Sequence, residues 1–441
     1  MPMTLWTRRF LFWGLLFLFL LAGTAITLYS EGWRFDTNSC VLHNLLHCEL
    51  TFEKTGGIFL RTTPRGVTIL VDEKSFEDQS GFIQQGTLIP NLSPKLYQVQ
   101  IQKEGYFPWV KNIRVLPQLV TQALHIILIP KAISEEQVPI SRLRGEHIEA
   151  ISDTGKKIII QDVKAKTYYM YDISNPAVAF NINVNFTNTA KANEAILRII
   201  PHSFDQNKLI IETTKGLYNL DTLRLEIETI QKNQPITWTV QGSSVYYLKK
   251  STNSSSTTTY ALYSWNMVLK NENQIFTFPD NTSSSRRFTG IEVSSAQNRV
   301  ALLDNERAVY LIDLTQNTIK KATNAVSDFE FSPDGKKLAL LTSSKKLQIL
   351  FLDDSDVDNP KRKGDLVAFE LVEQPLKVTW HKDSYHILIG YVTTLHFKEI
   401  DDRLPNNDYI LREIPGSIFY YDKKSNAVYS VKNNALYRFS L

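Results

Sequence analysis

Cysteine is nearly absent from this sequence. Cys40 and Cys48 are the only two in 441 residues, which excludes a framework of several disulfides. The eight histidines are scattered, and none belongs to a His-Glu-x-x-His metal motif. A Gly-x-Ser-x-Gly nucleophile elbow and a Gly-x-x-x-x-Gly-Lys phosphate loop are missing too, so the commonest hydrolase and nucleotide signatures do not apply. Charge of one sign is lacking: 49 basic residues stand against 45 acidic ones, a net +4. That balance, with no basic stripe or aromatic–basic motif, argues against nucleic acid as a partner.

One long apolar run is present. Phe10 to Tyr29 reads FLFWGLLFLFLLAGTAITLY without a charge. As a helix it would span about 30 Å, the thickness of a bilayer core. Arg8 and Arg9 precede it and Glu31 and Asp36 follow, which places the N-terminus in the cytoplasm and the rest outside. Trp6 and Trp33 suit the two interfacial belts. A cleaved signal peptide, with Gly23 and Ala25 before the cut, is the competing reading, and the run is long for one. No second span of comparable length follows, so a single-pass protein is expected.

Both cysteines then fall on the outer side, in CVLHNLLHC. An oxidising compartment permits a Cys40–Cys48 disulfide, provided a loop or hairpin joins them. In a continuous helix they would stand about 12 Å apart, beyond disulfide reach. Free thiols, or a metal site shared with His43 and His47, are the alternatives.

Between residues 55 and 130 the pattern is extended throughout. Val67, Ile69 and Val71 alternate with polar neighbours, as do Tyr97, Val99 and Ile101. Thr63-Pro64-Arg65-Gly66 and Lys103-Glu104-Gly105-Tyr106 supply turns. In order along the chain come Pro64-Arg65-Gly66-Val67, Asp72, Asn91-Leu92-Ser93-Pro94, Tyr97-Gln98-Val99 and Lys103-Glu104-Gly105-Tyr106. This series resembles the PEGA domain, a small β-sandwich of bacterial and archaeal surface proteins. Arg65, Val67 and Lys95 depart from the family pattern. The resemblance implies a spacer or a module binding surface partners, and it brings no catalytic residues.

From residue 149 onward one pattern recurs: an apolar strand, a short polar turn and a second apolar strand. FSPDGKKLALL (331–341) is its clearest copy. EAISDTGKKIII, HSFDQNKLIIE, WTVQGSSVYYLK, EVSSAQNRVALL, VTWHKDSYHILIG and IFYYDKKSNAVYSV are weaker relatives. From the turn near 153 to that near 423 six intervals average about 45 residues, the period of a four-stranded propeller blade. The Ser-Pro-Asp-Gly-Lys-Lys-Leu-Ala form resembles the WD40-like repeats of TolB-type propellers. The last copy ends at Leu441 one strand short, and residues 135–143 are expected to complete it, closing the ring.

The expected architecture is all-β. It comprises a cytoplasmic tail (1–9), a transmembrane helix (10–29), a juxtamembrane linker (30–54), a PEGA-like β-sandwich (55–130) and a β-propeller of about seven blades (131–441). His381 and His386, on one hairpin, read as packing or surface residues. Asp354, Asp356, Asp358 and Asp365 mimic calcium-loop spacing, but Asn359 stands where a Gly is needed and Lys361, Arg362 and Lys363 crowd the loop. A solvated connection between strands fits better. No catalytic residue, metal site or cofactor is expected. The function expected is extracytoplasmic binding or scaffolding in the cell envelope, anchored to the cell membrane and directed at a protein, peptide or glycan. The alternative is a propeller-based lyase or hydrolase acting on glycans, with its site at the channel mouth.

Overall fold

The structure, a computed structural model, describes residues 5–35, 52–81, 84–140, 143–152, 155–175, 179–190, 194–252, 258–280, 286–355, 359–414 and 419–441. Cys40, Cys48, His43 and His47 lie outside these, as do Asp356 and Asp358. Two compact units form. Residues up to Pro130, joined by Asn359, Pro360 and Arg403–Asn407, make the first; Lys131–Ser355, Lys361–Asp402 and Asp408–Leu441 make the second.

The first unit begins with the helix Leu5–Ser30. Within it Arg9–Ser30 is long and apolar enough to cross a membrane, and none of that stretch is buried against protein. Two sheets follow. One orders Thr87–Leu92, Gly56–Thr63 and Val120–Ile127; the other orders Lys74–Glu77, Thr68–Val71, Leu96–Gln102 and Trp109–Arg114. Their inner faces share one core, with Ile58 and Leu60 from the first sheet and Ile69, Val71, Val99, Ile101 and Trp109 from the second. Tyr97, Val99 and Ile101 point inward as their alternation requires.

The polar residues of the turn motifs act as fasteners in this unit. Asp78 accepts the amide of Gly66 (2.8 Å) and the hydroxyl of Thr87 (2.8 Å). Burial works against its charge, but these bonds and those from Ser80 prevail and hold its carboxyl at about 2. Lys103 Nζ donates to the carbonyls of Arg65 (2.6 Å) and Gly66 (3.1 Å), locking the same turn from the other side. Asp72 receives Lys95 Nζ (2.7 Å) and the Gln98 amide (2.9 Å).

Among the described residues, the second unit forms seven four-stranded antiparallel sheets. Six are consecutive in the chain, spanning residues 147–181, 196–231, 237–279, 288–323, 326–370 and 377–413. The seventh takes Phe419–Asp422, Ala427–Lys432 and Ala435–Ser440 and adds Glu136–Val138 from the start of the unit as its outermost strand. The register is Glu136 opposite Arg438, Gln137 opposite Tyr437 and Val138 opposite Leu436. Innermost strands of successive sheets lie side by side, and a shared core joins the seventh sheet to the first through Ile148, Ile158, Tyr429 and Leu436. This is a seven-bladed β-propeller closed by its own N-terminal strand, and FSPDGKKLALL sits in blade 5.

Second strands explain why the sequence shows apolar runs there and not alternation. Lys337–Thr342 and His386–Gly390 are buried at every position, because neighbouring blades cover both faces. The turn before this strand has a recurring chemistry. Ser152, Ser294 and Ser332 are buried, and their hydroxyls accept the amides of Lys157 (3.0 Å), Arg299 (3.1 Å) and Lys337 (2.9 Å). Those basic side chains then reach toward the next blade. Lys157 donates to Asn207 Oδ1 (2.6 Å), Arg299 to Gly335 O (3.2 Å) and to Asp353, and Lys337 lies over the Tyr385 ring. Pro-Asp-Gly is thus structural punctuation, with Gly335 supplying φ +68°.

Blade 1 departs from the pattern. Its outermost strand is only Phe180–Asn181, and the helix Ile182–Ala190 follows, burying Ile182 and Phe186 one turn apart against Ile159, Tyr168 and Leu209.

Candidate functional site: the axial channel of the propeller

Innermost strands run along the propeller axis, so side chains from several blades face a common space. Two adjoining cavities of about 500 and 630 Å³ occupy it, sharing Ile151, Lys377 and Tyr420. Their ionic lining comes from separate blades. Blade 1 contributes Glu149, blade 2 Arg198, blade 5 Asp328 and Glu330, blade 6 Lys377, and blade 7 Asp422, Lys423 and Lys424. Asp328 and Glu330 share a face because they are two residues apart on one strand.

Most of these groups are already engaged. Glu330 accepts the Trp380 amide (3.0 Å), the Thr379 hydroxyl (3.3 Å) and Lys423 Nζ (2.5 Å). Glu292 has the same role in blade 4, accepting the Phe331 amide at 2.9 Å. Each is a carboxylate reaching across to the backbone of the next blade. Lys377 Nζ donates to Phe419 O (3.2 Å) and rests against the Phe419 and Tyr420 rings. Arg198 donates to Trp238 O (2.9 Å) and stacks over its indole.

The electrostatics follow from crowding in little water. Burial, then the negative charge of Glu330, pushes the Glu292 carboxyl well above the usual range. The same two causes push Asp328 up to about 6. Burial also raises Glu149, against the pull of His147 and Arg198. Burial lowers Lys377, opposed by Glu330 and Asp328. For Lys423 burial acts downward, but the charge of Glu330, its hydrogen bond and the charge of Glu292 together outweigh it, and the ammonium is reinforced. Glu149, Asp328, Glu330 and Asp422 thus share the lining with Arg198, Lys377, Lys423 and Lys424.

Asp328 gives a signed pH effect. Its folded value lies above the ordinary 3.8, so the folded state holds the proton more tightly than the unfolded chain. That stabilisation is complete below about pH 4 and is lost as pH rises through 6. Asp328→Asn should therefore raise stability at pH 7.5 by roughly 1–2 kcal/mol and change nothing at about pH 4. Denaturant midpoints at the two pH values check this; equal effects at both would show that burial of Asp328 is not the cause.

None of these channel residues stands out in the sequence. Apart from Asp328 and Glu330, which share a strand, they come from different blades, and only ring closure assembles them. A faint signal exists in Glu-x-Ser, which recurs as Glu292-Val293-Ser294 and Glu330-Phe331-Ser332 at the end of first strands. Of the residues that do stand out there, Asp354 is taken by the Lys363 amide (2.7 Å) and Asp365 by the Arg362 amide (2.7 Å). His381 and His386 come together, with Asp383 between them.

No family model matches this chain, and no curated protein matches it. Solved structures do. A chain from a crystal structure of the mitotic checkpoint complex is 12% identical with a TM-score of 0.48, covering 71% of this chain and 94% of that one. The β-propeller domain of Cps50 (Swd1) from Myceliophteria thermophila is 9% identical with a TM-score of 0.47, covering 70% and 100%. Both scores are below 0.5, and the fold assignment rests on strand order and closure.

Proposed function

We propose that this chain is a non-enzymatic binding protein of the cell envelope, held in the cell membrane by its N-terminal helix. Its sandwich unit, similar to the PEGA domain, and its propeller face the extracytoplasmic side and recognise a protein, peptide or glycan. The observation that carries this reading is the employment of the channel carboxylates. Glu292 and Glu330 are spent on backbone amides of the next blade, so the axis is fastened and these acids are not free as an acid–base pair. What such a ring offers is a wide, mixed-charge mouth.

The test is capture by the full chain in its own membrane after in-cell cross-linking, beside a Lys377→Glu, Arg198→Glu variant. Loss of one specific envelope partner from the variant is the expected result. Equal recovery with both proteins would remove the channel from the binding site. A reporter fused after Leu441 that is active only outside the cell should accompany it; activity in the cytoplasm would overturn the orientation.

One observation favours a second reading, a glycan-acting enzyme. Asp328 is poised near neutral pH in a cleft with Lys377 and Tyr420. Polysaccharide cleavage abolished by Asp328→Asn would establish it in place of the first.

A further inference from the structure

Blade 6 departs from the turn chemistry of blades 1, 4 and 5. In blade 5 the turn uses Ser332, Asp334 and Lys337: Ser332 Oγ donates to Asp334 Oδ1 (2.5 Å) and Lys337 Nζ to Asp334 Oδ2 (2.9 Å). The turn carboxylate thus has a built-in cation. At the same three places blade 6 has His381, Asp383 and His386. Both imidazoles are almost wholly buried, at 3% side-chain exposure each, while Asp383 keeps 19%. Lysine and serine have been exchanged together for two imidazoles around an unchanged aspartate.

Hydrogen bonding fixes how His381 is oriented. Asn426 Nδ2 donates to Leu441 O (2.5 Å), which turns its Oδ1 toward the histidine, and that oxygen already accepts the Tyr421 hydroxyl (2.7 Å). His381 Nε2, 2.9 Å from the same oxygen, must therefore be the donor. In the neutral ring Nδ1 then carries a bare lone pair. It lies 3.1 Å from Asp383 Oδ1, yet it is buried without a hydrogen-bond partner. Two electron-pair donors facing at that distance call for a cation between them. His386 Nδ1 closes the group at 2.6 Å from Asp383 Oδ2, and all three ligand atoms lie within 4.8 Å of one another.

We propose that His381 Nδ1, Asp383 and His386 Nδ1 bind a divalent first-row transition metal of the zinc class. Two imidazoles and one carboxylate form a borderline-soft donor set that suits zinc, nickel or cobalt and disfavours magnesium and calcium. Three protein ligands leave the remaining position to water, on the side where Asp383 is exposed. Binding asks for small side-chain rotations, since ligands on one ion at about 2.0–2.1 Å stand farther apart than the present 2.6 Å contact. Asp383 Oδ1 meanwhile keeps the amides of Tyr385 (2.8 Å) and His386 (3.1 Å), and Asn426 orients His381 from outside. The ion would stand where blade 5 places an ammonium. This departs from the sequence expectation of packing histidines and no metal.

The comparison with blade 5 also supplies the control. His381→Ser, His386→Lys rebuilds the blade 5 turn, so this double variant should fold. The full chain in detergent, stripped with EDTA and dialysed, is titrated with ZnCl2 at pH 7.5 by calorimetry, and with CoCl2 by absorption. Cys40, Cys48, His43 and His47 offer ligands of their own, so the readout is the difference between the two proteins. Expected is one more equivalent of zinc in the wild type, with a cobalt d–d band absent from the variant and a zinc-dependent rise in melting temperature seen only in the wild type. Equal stoichiometry and identical cobalt spectra would overturn the proposal and leave the cluster a proton-bridged ion pair. Should the double variant fail to fold, Asp383→Asn serves instead, with the same two outcomes.

Discussion

Val138→Asp is expected to open the propeller at its seam. Val138 lies in the three-residue strand that completes blade 7, opposite Leu436, and is 5% exposed. With Ile140 and Leu143 it enters a core shared by blades 7 and 1, among Ile148, Ile158, Tyr171 and Leu436. Those three apolar side chains contribute about 1.5–3 kcal/mol each by burial. The segment as a whole therefore carries an energy comparable to the entire stability of an ordinary domain, about 5–15 kcal/mol. A carboxylate at Val138 adds a buried charge without a partner, at a cost of about 3 kcal/mol or more. Losing the strand also exposes the edge of Ala435–Ser440, a template for association with other chains. Thermal unfolding should start several degrees lower, with light scattering rising alongside. Glu136→Gln is the control on the same strand. Its pairing with Arg438 is exposed, and the change should stay within about 0.5 kcal/mol. Similar losses from both would show that the seam is not where stability is concentrated.

The closing strand was legible in the sequence because the last repeat ends one strand short and an extended segment precedes the first. Blades were legible for a related reason: their second strands are buried on both faces, so Lys337–Thr342 and its counterparts stand out as apolar runs after polar turns. Elements lacking such contrast were not visible. Lys74–Glu77 is a mostly exposed four-residue strand with no hydrophobic period. The helix Ile182–Ala190 buries Ile182 and Phe186 in the core of blades 1 and 2, in a stretch of Asn, Thr and Val with low helix propensity, and its support is tertiary. The channel lay further from view. Glu149, Arg198, Asp328 and Lys377 are about 50 or more residues apart in succession, and their meeting depends on the number of blades and the closure of the ring. His381 and His386 were visible as residues, but the tautomer of His381 is decided by Asn426, a residue of the next blade.

Glu330→Ala is the second change expected to have a large effect, because one side chain serves three blades. From blade 5 it takes the Trp380 amide of blade 6 and the Lys423 ammonium of blade 7, while its own carbonyl accepts Trp380 Nε1 at 2.8 Å. Truncation leaves a buried amide without an acceptor and a lysine without its counter-ion. Breaking a fully buried pair costs about 3–5 kcal/mol, but Lys423 keeps 37% exposure toward the channel and water screens part of the loss. A net loss of roughly 2–3 kcal/mol is expected in denaturant unfolding. Glu330→Gln separates the contributions. Its amide oxygen can still accept the Trp380 N–H, so about half of that loss should return. The charge does not return, and its absence has a second consequence. Glu330 is a cause, after burial, of the raised carboxyls of Asp328 and Glu292, so in Glu330→Gln both should titrate lower, with Asp328 moving down from about 6. The fall in stability that accompanies ionisation of Asp328 should then shift to lower pH. Unchanged pH dependence in Glu330→Gln would mean that burial alone sets these values, and that the channel acids stand as separate groups rather than as one coupled set.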